Sequence, residues 1–203
     1  MKKLSLLTIT VLFILNAAHS AFALTGDEAL AKFRARMNSS GKLTGIISWS
    51  RSGGETYTGA FKYLSPGKIY VKFSSPAGKT IVSNGKSLWI YSSGSNICGV
   101  QDLARGGSGG IAALTSGYFA IVTAQGPGGY TIKLKNNDRS FSEIILMVDS
   151  TFFLRKAILK SKNGGTYNFS LSNISTSAAV IPSIFDFNVP SNAQVVKNPL
   201  NIK

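Results

Sequence analysis

The chain is 203 residues long and 44% hydrophobic, with 22 Lys and Arg against eight Asp and Glu, one Cys and one His. That length fits one domain with a substantial core. A single Cys excludes an intrachain disulfide framework and any zinc or iron–sulfur site built from several thiolates. With 21 Gly but six Pro, the chain reads as rich in turns rather than low in complexity.

In chain order, Lys2 and Lys3 precede an apolar run from Leu4 to Leu15, and small residues lead to Ala21-Phe22-Ala23. This is the pattern of a secretory signal peptide over residues 1–23, with the mature chain starting at Leu24. The apolar run is too short for a comfortable membrane span. No Cys stands near the cut, so no lipid attachment is expected and residues 24–203 should form one soluble, unanchored domain. His19 is lost with the signal, which leaves the mature chain without an imidazole, the commonest general base and metal ligand. Cys98 reads as a small buried hydrophobe rather than a reactive thiol. The excess of base has two readings, attraction to an anionic membrane surface or a solvated face that maintains solubility. Nucleic-acid binding is not expected, because the lysines are scattered along candidate strands with no accompanying motif.

Thr25, Asp27 and Glu28 precede Ala29, Leu30, Phe33 and Met37, an N-cap and acidic first turn followed by an apolar stripe. That predicts a helix ending at Asn38-Ser39-Ser40-Gly41. Turn signals then recur at Gly53-Gly54, Pro66-Gly67, Pro76-Ala77-Gly78 and Asn84-Gly85, and more sparsely at Asn137-Asp138 and Asn163-Gly164. Two are Asn-Gly pairs, the strongest short hairpin signal. Ile69, Val71 and Phe73 alternate with Lys68, Tyr70 and Lys72, and Tyr167, Phe169 and Leu171 with Asn168, Ser170 and Ser172, giving one dry face and one wet. About eleven strands are expected, too many for a flat sheet, so the fold class is mainly β with α: a curled antiparallel sheet forming an incomplete, half-open barrel. Residues 99–126 break the pattern with seven Gly among large apolar groups. They are read as short, weak helices around a Gly107-Ser108-Gly109-Gly110 hinge, a lid insertion.

The catalytic motifs do not hold. Gly106-x-Ser108-x-Gly110 fits a nucleophile elbow but sits among glycines with no histidine to serve it. The Gly-Lys pairs lack the earlier Gly of a P-loop. Asp138, Glu143 and Asp149 read as solvent-facing rather than as an acid–base pair. The sequons at Asn38, Asn168 and Asn173 matter only in a eukaryotic secretory route. No metal site, cofactor or enzymatic activity is expected, and what remains is an exported binder of an apolar ligand.

Ser65-Pro66-Gly67-Lys68-Ile69-Tyr70-Val71-Lys72-Phe73, then Pro76, then Ile81-Val82-Ser83-Asn84-Gly85 to Leu88-Trp89-Ile90-Tyr91, resembles the outer-membrane lipoprotein carrier family, LolA. Phe185-Asp186-Phe187-Asn188-Val189-Pro190 resembles that family's ending, and the opening helix and middle insertion fall in the family's order. The resemblance implies a periplasmic, monomeric carrier that holds the acyl chains of lipoproteins and ferries them to the outer membrane. Its partners would be acylated lipoproteins, an inner-membrane ABC-type release complex that loads it and an outer-membrane acceptor. The implied cavity residues are Phe61, Ile69, Val71, Phe73, Leu88 and Trp89 on the strands, with Leu103, Ile111, Leu114 and Phe119 from the lid. Many members carry Arg before the turn proline. Here Ser65 stands there, and Ser cannot make the bidentate charged hydrogen bonds of Arg, so a closed state would need other contacts. The rival readings are a carrier of free lipid or glycolipid on the same fold, a non-enzymatic envelope-stress sensor, and a structural envelope protein with a solid core.

Overall fold

A computed structural model of the chain describes residues 24–103 and 115–197. The expected signal peptide, the Gly107–Gly110 hinge, Ile111 and Leu114 all lie outside them. Helix α1 spans Gly26–Asn38 and starts with a capping box: the Glu28 N–H donates to the Thr25 hydroxyl at 3.3 Å and the Thr25 N–H donates to the Glu28 carboxylate at 3.0 Å. That backbone bond from Thr25 is the main cause holding the Glu28 carboxyl below its ordinary value. The stripe of Ala29, Leu30, Phe33 and Met37 is buried. Gly26 lies directly on the Ala120 carbonyl, where a Cβ would have no room, so the first turn can approach a strand only as glycine.

Twelve strands follow: β1 (Lys42–Arg51), β2 (Thr56–Leu64), β3 (Lys68–Ser75), β4 (Ala77–Asn84), β5 (Ser87–Ser92), β6 (Ile97–Asp102), β7 (Phe119–Gly126), β8 (Gly129–Lys135), β9 (Phe141–Val148), β10 (Leu154–Ser161), β11 (Thr166–Ser175) and β12 (Gln194–Lys197). They form a single sheet in the order β12-β6-β5-β4-β3-β2-β1-β11-β10-β9-β8-β7, antiparallel except for β12 beside β6. The two ends of this order are not paired, so the sheet is an open, curled half-barrel, as expected from the strand count. The strand beyond the expected eleven is the short parallel β12.

Cross-strand partners share a face, so the register sorts the side chains. Gly45, Phe61, Val71, Ile81 and Ile90 form one row. Leu43, Tyr63, Ile69, Ser83, Leu88 and Gln101 form the next. These rows lie on the inner, concave side, and Phe61 and Val71 share the buried core with the α1 stripe and with Ile132, Leu134, Ile144 and Leu146. A Cβ on Gly45 would stand 2.7 Å from Ile174 Cδ1 and 2.9 Å from Phe61 Cε1, so this glycine makes room for both side chains.

The lid expected over 99–126 is shorter in the structure, because strands claim both its ends: Gly99–Asp102 belong to β6, and Phe119–Gly126 to β7. Glycine hides this from the sequence. Gly99 pairs with Ile90, while Ala120 and Val122 pair with Leu134 and Ile132.

Part of the sheet is apolar on both sides. On the outer face, the 3-10 turn Pro182–Phe185 packs on β3 and β4, and the chain beyond it reaches Trp89 and Tyr91 of β5, beside Val82 and Cys98. Phe185 is fully buried, and the Phe187 ring lies 6.3 Å from Trp89 and 5.9 Å from Tyr91. Cys98 is sealed in the sheet at this point, and burial pushes its thiol pKa up.

Two acidic residues read as solvent-facing are engaged instead. Glu143 is clasped by Lys133 at 3.1 Å and Lys160 at 2.8 Å, and the bond from Lys160, then that from Lys133, holds its carboxyl below the ordinary value. Asp149 organises the β9–β10 turn. Its carboxylate accepts from the Thr151 N–H at 2.9 Å, the Thr151 hydroxyl at 2.6 Å and the Phe153 N–H at 3.1 Å, and pairs with Arg155 at 2.7 Å. Burial works against its charge, but these bonds prevail and lower its pKa. A carboxylate depressed in the fold stabilises it above the unfolded value, about 4, and the contribution is lost as pH falls through the folded value. Melting curves should therefore show stability falling below about pH 4, and Asp149→Asn should lower the neutral-pH stability by about 1–3 kcal/mol while flattening that acid loss. An unchanged acid slope in the variant would remove Asp149 from the account.

Candidate functional site

The concave face carries the apolar surface, and its two halves differ. Helix α1 packs chiefly on β7 and β8. Over β1–β5 part of the inward face remains half-buried: Ile47, Trp49, Tyr57, Ile69, Ile81 and Ile90 all keep part of their surface open, while Leu43, Phe61, Val71 and Phe73 are closed. An aromatic band crosses this region, with Tyr57 5.7 Å from Phe73, Trp49 5.0 Å from Tyr57, and Phe169 6.3 Å from Trp49. Half-open apolar side chains of this kind could form a trough against which a flexible apolar chain lies without any one atom being gripped.

The expected cavity residues separate into groups. Phe61, Val71 and Phe73 point inward but are already closed into the core, Val71 at 2% exposure. Ile69 and Leu88 share an inward row and are half-buried, as is Leu103 just after β6. Trp89 cannot share a face with its neighbour Leu88, since successive strand residues alternate. The structure places the Trp89 ring on the outer side, against Phe187. Phe119 is 66% exposed at the start of edge strand β7 and is paired with Lys135, on the side opposite Ala120. Trp49, Tyr57, Ile81 and Ile90, half-buried on the same inward face, were not among the expected residues. Trp49 and Tyr57 sit opposite each other across the β1–β2 hairpin, a pairing that only the register shows.

One cation stands inside this apolar surface. The Lys79 ammonium donates to the Tyr57 hydroxyl at 2.6 Å and lies 4.2 Å from the ring centroid. A separate cleft of about 560 Å³ opens at the helix C-terminus, lined by Arg36, Ser39, Ser40, Lys42, Leu64 and Thr176. Its lining is partly polar. Among the described residues no three His, Cys, Asp or Glu side chains gather where a metal could bind, and no helix is long and apolar enough to cross a membrane.

Comparison with known proteins matches this geometry. The family model described as outer membrane lipoprotein carrier protein LolA matches residues 50–188. An outer-membrane lipoprotein carrier protein of Shewanella sp. (strain MR-7) is 26% identical over 148 residues, 70% of this chain and 70% of the relative. One from Nitrosomonas europaea is 25% identical over 150 residues, 70% of this chain and 73% of the relative. Among solved structures, a conserved protein from Thermus thermophilus superposes with a TM-score of 0.57 at 14% identity, covering 84% of this chain and 98% of that one, a likeness of fold. The matched segment runs from the end of β1 to the strap that packs Phe187 on Trp89, and takes in most of the concave face. With more than half its length matched by the family model, this chain belongs to the outer-membrane lipoprotein carrier protein family, LolA.

Proposed function

We propose that the protein is a periplasmic carrier that shields the acyl chains of lipoproteins on the concave face while they cross between the inner and outer membranes. The observation that carries the reading is the set of half-buried apolar side chains on the inner face of β1–β5, in a chain of a family of carriers. The need is physical. Each exposed CH₂ costs about 0.8 kcal/mol, so a chain of about fifteen costs about 12 kcal/mol in water. An open trough offsets enough of that to hold a chain and, being open, can release it. An ABC-type complex at the inner membrane would load the carrier and an outer-membrane acceptor would unload it, with no covalent chemistry. A second reading, a free anionic lipid as cargo, is favoured by Lys79 alone, whose ammonium beside the trough could meet a phosphate or carboxylate.

In-cell photo-crosslinking tests both. A benzoylphenylalanine at Ile81, half-buried on the inner face, should yield adducts to several unrelated acylated lipoproteins. The same group at Ser48, on the outer face, should yield none of these. Adducts at Ile81 confined to free phospholipid or glycolipid would establish the second reading. No adduct from a folded, exported variant would overturn both.

A further inference from the structure

The register settles which way the lysines face. In β2 and β3, Lys62 and Lys72 stand opposite Tyr70 and Ala60, on the side away from Phe61 and Val71. Lys135 in β8 and Lys156 in β10 pair with Glu143 and Met147, again away from the core row of Leu134 and Ile144. Between these two banks the outer face of β1 and β11 presents Ser48, Ser50, Asn168 and Ser170. Among the described residues of strands β1–β3 and β7–β11, the one carboxylate turned to this face is Glu143, already held by Lys133 and Lys160. Lys62, Lys72, Lys135 and Lys156 make no ion pair with any described residue. At the β7 edge of the same face, Phe119 and Ile121 are exposed at 66% and 39%, opposite Lys135 and Lys133.

We propose that this outer face docks the protein electrostatically on an anionic phospholipid surface, with Phe119 and Ile121 entering the interfacial region. The charges are lysines, without an arginine among them. Ammonium groups act as point charges on flexible stems and suit a diffuse layer of anionic headgroups, whereas a fixed site for one carboxylate or one phosphate would favour the planar fork of arginine. The hydroxyl-rich centre can approach headgroups without burying an apolar surface. Docking through the outer face leaves the concave trough free, so the proposal stands independently of what the trough carries.

Co-sedimentation of the mature chain with lipid vesicles tests it. Vesicles of phosphatidylcholine with about a third phosphatidylglycerol should bind the protein at low ionic strength, with binding lost as salt rises, and phosphatidylcholine alone should not. Each lysine near an anionic bilayer contributes about a fivefold gain in affinity, so Lys72→Gln, Lys135→Gln and Lys156→Gln together should weaken binding about a hundredfold. These three side chains are exposed, and the variant should keep its melting temperature. A control with Lys32→Gln, Lys86→Gln and Lys162→Gln removes the same charge from other surfaces and should lose far less. Equal losses in the two variants would overturn the assignment to this face. No binding to either vesicle at low salt would overturn membrane docking and leave the face to an acidic protein partner.

Discussion

Replacing Phe185 by Ala should destabilise the protein by about 3–5 kcal/mol, the range for removing a fully buried aromatic ring. The position lies outside the main core. It anchors the returning chain on the outer face of β3 and β4, next to the layer where Val82 and Cys98 are sealed and Phe187 leans on Trp89 and Tyr91. Losing the ring should loosen that whole strap. Cys98 offers a direct reading, because it is the chain's one thiol and burial raises its pKa, so the native protein should react slowly with a thiol reagent at neutral pH. In Phe185→Ala the labelling rate should rise well before the concave side melts. Phe187→Ala should do the same more weakly, since that ring is part-exposed. Equal thiol reactivity in both variants and the parent would mean that the strap does not protect this layer.

The trough should respond differently. Ile69→Ser, Ile81→Ser and Ile90→Ser together remove aliphatic surface at three half-buried inward positions. With about 1 kcal/mol lost per site, affinity for a fluorescent fatty-acyl probe should drop about a hundredfold. Stability should fall less than for a comparable change at Val71, because part of each side chain faces open space in the free protein. A variant that loses stability in proportion to affinity would place these isoleucines in a filled core and remove the trough from the argument.

The two substitutions bear on what the sequence could reveal. Helix α1 was legible because every signal agreed: N-cap, acidic first turn, apolar stripe, terminating Gly41. Strand β3 was legible because it is wet on one side, so Ile69, Val71 and Phe73 alternate against Lys68, Tyr70 and Lys72. The strands that face apolar neighbours on both sides gave no such contrast. Leu88-Trp89-Ile90-Tyr91 is an unbroken run, and in the sheet Ile90 points into the trough while Trp89 and Tyr91 point at Phe187. Alternation cannot say which residues of a doubly covered strand face which way. Phe185 and Phe187 were recognisable as part of the family's ending, but their role needs a partner about a hundred residues earlier. Gly99 of β6 and the exposed Phe119 of β7 likewise made strand look like lid, because pairing partners, not propensity, fix those segments.

An open sheet has two borders, each a row of unsatisfied backbone donors and acceptors that invites a strand from another molecule. Here each border is blunted by its own device. On one side the four exposed residues of β12 lie along β6 and end in Lys197, too short a template to seed a regular ladder. On the other, β7 is eight residues long but slips register between Val122 and Ala124, which kinks the row that a newcomer would have to match. On the proposed function, a curled sheet that stays open to admit an acyl chain needs both devices, since the same openness would otherwise favour strand-by-strand association.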